Sequence, residues 1–123
     1  MKTVAILSQK GGTGKTTLAV HLAVAAERRD VPVAVLDLDP QASAADWKDS
    51  RPGDAPSVTS IQASRLRKAL DVAGSAGAAL VIIDSAPHSA DAAIAAAEAA
   101  DLILIPCRRA SSTFVLSPRP PAL

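Results

Sequence analysis

The segment Lys10-Gly11-Gly12-Thr13-Gly14-Lys15-Thr16-Thr17 holds the densest chemistry of the 123-residue sequence. Its three glycines let successive backbone N–H groups wrap an anion, and a helix starting directly behind them adds the positive end of its dipole. Lys15 supplies a point charge for β- and γ-phosphates. Thr16 offers a hydroxyl as a Mg2+ ligand, completing the Gly-Lys-Thr ending of a P-loop. The common motif also has a glycine where Gln9 stands. The plain alternative is a Gly-rich hairpin with an incidental lysine. Context separates the two, because the motif demands a strand before it and a helix after it.

Three acids, Asp37, Asp39 and Asp84, follow short apolar runs. Phosphoryl hydrolysis needs a metal held by carboxylates, directly or through water, and a group that orients the attacking water. Asp84 suits the metal shell and Asp39 the water. Either acid taken alone is equally an N-cap or a turn carboxylate.

The elements that must position these groups are legible in the apolar pattern. Thr3–Leu7 reads as a strand stopped by the glycine turn, and Lys15–Arg29 as a helix closed at Asp30-Val31-Pro32, since proline biases its predecessor away from the helical region. Val33–Leu38 is a nearly continuous apolar strand, as expected where helices cover both faces of a parallel sheet. Residues 40–56 read as a loop-rich excursion with about one helical turn near Ala42–Lys48. Val58–Ile61 predicts a short strand, and Ser64–Ala73 a helix capped by Ser64 and stopped near Gly74. Ala79–Ile83 is a strand with Asp84 just past its end, Asp91–Ala100 an alanine-dense helix, and Leu102–Ile105 a strand closed by Pro106.

Strands alternating with helices at this spacing predict an α/β fold: a doubly wound, mainly parallel sheet with flanking helices and right-handed crossovers. In such sheets ligands bind outside the carboxyl ends of the strands. Gly11–Thr16, Asp37 with Asp39, and Asp84 all fall there. The composition fits one domain with a buried core, at 49% hydrophobic residues. A net charge of +1 marks no broad basic face for nucleic acid or acidic membrane. The single Cys107 excludes an internal disulfide, a CxxC pair or a cysteine-rich metal site, and fits a reducing cytoplasm. No apolar run approaches the ~18 residues of a membrane span.

Four segments in order, Lys10–Thr17, Leu36-Asp37-Leu38-Asp39-Pro40-Gln41, Val81-Ile82-Ile83-Asp84-Ser85-Ala86-Pro87 and Ala100-Asp101-Leu102-Ile103-Leu104-Ile105-Pro106, resemble the deviant Walker A ATPases of the ParA/MinD group, with the ParA-type partition proteins the nearest match. The resemblance runs from Met1 to about Arg108 and implies the N-terminal part of a P-loop NTPase fold with ATP and Mg2+ as cofactors. Gly11, Gly12, Thr13, Gly14, Lys15, Thr16 and Thr17 would bind the nucleotide. Thr16, Asp37 and Asp84 would hold hydrated Mg2+, with Lys10, Lys15 and Asp39 catalytic. Lys10 would be the signature lysine that reaches the partner's phosphates across an ATP-dependent homodimer. Ser85–Pro87 would begin a switch loop, although Ala86 stands where the family commonly has a second proline.

The function this implies is ATP hydrolysis that drives DNA partitioning, switching a DNA-bound dimer to a released monomer in the cytoplasm, with non-specific DNA and a partition protein as partners. A nucleotide-binding remnant without turnover is the alternative from another class. A MinD-like positioning ATPase is a third, but it needs a C-terminal amphipathic helix, and Val115–Leu123 contains three prolines. Family members continue well beyond Pro106 with elements that supply base contacts, part of the dimer face and much of the DNA-binding surface.

Residues 1–107 accordingly read as a partial ATPase domain, and 108–123 as an irregular or disordered tail that leaves the strand Leu102–Ile105 at an open edge. The tail is expected to be a reading-frame accident. One codon choice for Arg108–Leu116, CGC CGG GCG TCC TCG ACC TTC GTG CTG, becomes Arg-Pro-Gly-Val-Leu-Asp-Leu-Arg-Ala when a single C is restored after the first codon. That product resembles the stretch that ParA-like proteins carry after this strand. A short native tail that contacts a partner is the competing account. His21 and His88 read as ordinary polar residues, Trp47 as a packing anchor, Cys107 as a small hydrophobe, and Arg108/Arg109 as a solvated pair.

Overall fold

The computed structural model describes residues 1–7, 15–39, 56–85, 89–106 and 113–116. Among them the strands are β1 (Lys2–Ile6), β2 (Val33–Asp37), β3 (Ser57–Ser60), β4 (Leu80–Asp84), β5 (Leu102–Pro106) and β6 (Thr113–Leu116). The α-helices are α1 (Lys15–Arg28), α2 (Leu66–Ser75) and α3 (Ala90–Ala99). One sheet runs in the order β3-β2-β4-β1-β5-β6. Its first five strands in sequence are parallel, and β6 is antiparallel to β5.

The chain moves from β1 across β4 to β2 through α1, then returns from β3 to β4 through α2 and from β4 to β5 through α3. With right-handed crossovers, the reversal of direction puts α1 on one face and α2 and α3 on the other. Side-chain alternation obeys this division. Ile6, Val35 and Ile82 pack with Ala19, Val20 and Ala23 of α1, whereas Ala5, Leu36, Val81, Ile83 and Ile103 pack with Leu66, Ala73, Ala92 and Ala96. Ala92, Ala96 and Ala100, four residues apart, present only methyl groups to the sheet, so α3 can lie close against it. The α/β, doubly wound, mainly parallel architecture is the one the apolar pattern predicts.

The details that differ lie at helix ends and in the tail. Ser64 does not cap α2. It sits inside a 3-10 turn at Ala63–Arg65, where Arg65 N–H donates to the Gln62 carbonyl at 2.9 Å, and the helix then starts from Arg65 without a side-chain cap. Gly74 does not stop that helix either. Ala76 follows Ser75 as the cap, and Gly77 turns left-handed at φ +95°. Gly77 N–H donates to the Gly74 carbonyl at 3.1 Å and Ala78 N–H to Ala73 at 3.0 Å, the paired bonds of a Schellman end.

Helix α1 ends the same way with Asp30 at φ +60°, Asp30 N–H donating to Glu27 and Val31 N–H to Ala26. The left-handed residue, rather than Pro32 alone, turns that chain end. Helix α3 gains a cap absent from the sequence reading, as Ser89 Oγ accepts Ala92 N–H at 3.3 Å.

Thr113–Leu116, inside the stretch expected to be irregular, forms β6 on the outer side of β5. The strand Leu102–Ile105 is therefore not left at the sheet edge. Four residues are too few to show a period of two, although Thr, Phe and Val favour strands.

Candidate nucleotide-phosphate site

Three strand ends meet at one level. Ile6, Asp84 and Asp37 are successive register partners across β1, β4 and β2. Asp84 is the last residue of β4 rather than the first beyond it. Alternation places Asp37 with Val35, and Asp84 with Ile82, on the face that α1 covers. Helix α1 begins at Lys15 from the carboxyl end of β1, so its N-terminus lies at the same end and on the same face as both acids.

Both carboxylates are fully buried, at 0% exposure, and Asp39 is 8% exposed. Burying carboxylates costs several kcal/mol each, unless hydrogen bonds or cations compensate. Asp37 Oδ1 accepts Asp39 N–H at 3.0 Å, which fixes how the chain leaves β2. Leu38 N–H donates to the Asp84 carbonyl at 2.8 Å, and Ile61 N–H to the Asp37 carbonyl at 3.0 Å. The two acids thus sit on backbone held from both sides, beside a helix N-terminus that favours negative charge.

Among the described residues no group of three or more His, Cys, Asp or Glu side chains gathers as a metal cluster. Paired carboxylates still suit Mg2+, which keeps several waters and takes oxygens from phosphate. Lys10, Gly11, Gly12, Thr13 and Gly14 lie outside the described residues, as do Trp47, Ala86, Pro87, His88, Cys107, Arg108 and Arg109. Lys15, Thr16 and Thr17 open α1. His21 is an exposed residue on α1.

Two residues absent from the candidate set hold the strands in place. Asp101 Oδ2 accepts Thr3 N–H at 2.9 Å while Asp101 N–H donates to the Thr3 carbonyl at 2.8 Å, clasping the start of β1 to the approach to β5. Ser85 Oγ donates to the Ile6 carbonyl at 2.9 Å. An Asp or Ser beside a strand is a common turn signal, so neither partner could be read from the sequence.

A cavity of about 770 Å3 lies elsewhere, lined by Pro32, Val33, Val72, Ala76 and Ala78 among others. It runs along β2 and β3 beside α2, from Pro32 and Val33 to Leu36, Thr59 and Ile61, with Arg65 and Lys68 in its lining, and does not include Asp37, Asp39 or Asp84.

A family model described as the CobQ/CobB/MinD/ParA nucleotide binding domain matches residues 4–108. The chain belongs to this family. The ParA/MinD-type domain is 34% identical over 113 residues to protein ParA of Rhizobium radiobacter, covering 88% of this chain and 49% of that protein. It is 38% identical over 106 residues to the maintenance of carboxysome distribution protein A of Gloeobacter kilaueensis, covering 85% of this chain and 48% of that one. The chain therefore spans about half the length of these relatives. The solved apo structure of McdA from Cyanothece is similar at a TM-score of 0.61 and 26% identity, covering 86% of this chain and 57% of the other. An ATP complex of McdA shares the fold at a TM-score of 0.58 and 23% identity, covering 85% and 55%. Among the described residues no helix of this ParA/MinD-type domain is long and apolar enough to cross a membrane.

Proposed function

We propose that this chain binds ATP with Mg2+ and hydrolyses it as a ParA-like partition ATPase. The observation that supports this most is the placement of two fully buried acids, Asp37 and Asp84, as register partners beside the first turn of α1. In this reading Gly11, Gly12, Thr13 and Gly14 turn their N–H groups on the phosphates, Lys15 neutralises the β- and γ-phosphates, and Thr17 continues the cradle into α1. Thr16, Asp37 and Asp84 would hold hydrated Mg2+, which would supply charge neutralisation to the transferring phosphoryl group. Asp39 orients a water towards the γ-phosphorus. The oxygen of that water bonds to phosphorus, the bond to the β–γ bridging oxygen breaks, and ADP leaves with inorganic phosphate. Lys10 acts on the phosphates of a second copy in a nucleotide-bound dimer. Non-specific DNA and a partition protein are the partners, and the cytoplasm the compartment.

Nucleotide binding without turnover is the second reading, supported by a matching family model whose description names nucleotide binding alone. One pair of measurements separates the readings. Calorimetric titration with ATP and Mg2+ should show binding under both. Phosphate release that rises faster than linearly with protein concentration, and further with added DNA, supports the partition ATPase. Binding with no phosphate release supports the second reading, and no binding rejects both.

A further inference from the structure

Where β1 ends, its last carbonyl is held twice. Ser85 N–H donates to the Ile6 carbonyl at 3.3 Å, a long continuation of the strand ladder, and Ser85 Oγ donates to the same oxygen at the shorter 2.9 Å. One step further, Leu7 N–H donates to the Leu104 carbonyl on the opposite side at 3.0 Å. The hydroxyl is buried, with Ser85 1% exposed, and lies outside the regular ladder. Pairing along β1 and β4 is complete without it, from Lys2↔Leu80 to Ile6↔Asp84.

Ile6 is the last residue of β1 before the sequence that runs to the glycines and Lys15, and Ser85 directly follows Asp84. The hydroxyl bond therefore joins the departure point of the phosphate-binding segment to the strand that carries a metal-side carboxylate. Phosphoryl transfer depends chiefly on such relative placement, and a misplacement of about 1 Å costs on the order of a hundredfold in rate.

We infer that the Ser85 hydroxyl is a positioning residue: by clasping the Ile6 carbonyl it fixes the phosphate-binding segment relative to Asp84, and so sets the affinity for the triphosphate with Mg2+. This rests on the phosphate-site reading above. The Ile6 carbonyl has two lone pairs, so it accepts both Ser85 donors at once. Removing the hydroxyl leaves the longer backbone bond, Ser85 N–H to the Ile6 carbonyl at 3.3 Å, to hold the two strand ends beyond the last register pair. The coupling is reciprocal by linkage, so nucleotide on the site also strengthens the bond between the Ser85 hydroxyl and the Ile6 carbonyl.

The test compares the unsubstituted chain with Ser85→Ala and Ser85→Thr, by calorimetric titration with ATP and Mg2+ and by melting without nucleotide. Ser85→Ala should weaken binding by about three- to tenfold, the range set by the net contribution of one hydrogen bond. Ser85→Thr, which keeps the hydroxyl, should recover affinity to within about twofold of the unsubstituted chain. A bond that serves folding alone would lower the melting temperature of nucleotide-free Ser85→Ala and leave its affinity unchanged. That outcome overturns the inference. So does a weakened Ser85→Ala whose affinity Ser85→Thr fails to restore. If the unsubstituted chain binds no nucleotide, the phosphate-site reading falls and takes the inference with it, so the two failures are distinguishable.

Discussion

At the scale of single residues the site divides into groups that bind and groups that act later. Lys15 opens α1, and the proposed role gives it the phosphates of its own chain. Lys10 precedes the glycines in sequence. Lys15→Ala should abolish nucleotide binding, whereas Lys10→Ala should keep binding by the monomer and remove the concentration-dependent part of phosphate release. Equal loss of binding in both variants would contradict this division.

The acids divide similarly. Asp84→Asn keeps size and hydrogen-bonding shape but loses the charge that Mg2+ needs. It should bind ATP in the absence of Mg2+ as the unsubstituted chain does, and lose the extra affinity that Mg2+ brings. Asp39→Ala should retain Mg2+-dependent binding while turnover falls by about 10²–10³-fold, the scale of removing one polar group from a transition state. Titrations with and without Mg2+ and steady-state rates check both variants. The sequence made these acids legible as types at strand ends. It did not show that Asp37 and Asp84 are register partners, or that both are fully buried, because register and burial depend on pairing between segments 47 residues apart or more.

At the scale of elements, the apolar runs were sufficient for the five parallel strands, but β6 and the helix ends were not legible in them. Strand content survives in the sequence because the inner strands β2 and β4, covered on both faces, need nearly continuous Val, Ile, Leu and Ala, whereas the edge strand β3, Ser57–Ser60, is largely exposed and carries a single Val. Helix ends are set by single backbone conformations that composition leaves ambiguous. Gly74 and Gly77 are three residues apart, and either could have stopped α2. Substitution separates them by sign. Gly74 is helical, and an added Cβ would meet Met1 Sδ at an ordinary 3.7 Å, so Gly74→Ala should stabilise the protein by about 0.5–1 kcal/mol through helix propensity. Gly77 sits at φ +95° with open space around an added Cβ, so Gly77→Ala meets no clash and still costs about 1–2 kcal/mol for its left-handed backbone. Denaturant melts of the two variants read the difference directly. If Gly77→Ala is neutral, the Schellman end does not determine where α2 stops.

At the scale of the whole molecule, the proposed site uses groups suited to phosphate and Mg2+. Its members sit at the ends of β1, β2 and β4 and the start of α1. The cavity of about 770 Å3 beside β2, β3 and α2 does not include Asp37, Asp39 or Asp84 in its lining. Relatives of this domain are about twice as long, and the ParA/MinD resemblance assigns base contacts to elements beyond the portion matched here. Because the groups gathered at these strand ends suit phosphate and a cation rather than a base, the 123-residue chain should bind the triphosphate and discriminate little between bases. ATP, GTP and CTP with Mg2+ should have dissociation constants within about threefold of one another, a spread smaller than the ~1 kcal/mol that one hydrogen bond to a base edge contributes. Each at about a hundred times its dissociation constant should stabilise the fold by about 2.7 kcal/mol, seen as an upward shift of the melting temperature. Inorganic tripolyphosphate with Mg2+ should reproduce most of that shift. A chain that binds ATP at least tenfold more tightly than GTP and CTP, and ignores tripolyphosphate, would place base recognition inside these 123 residues and refute a site that reads phosphate alone.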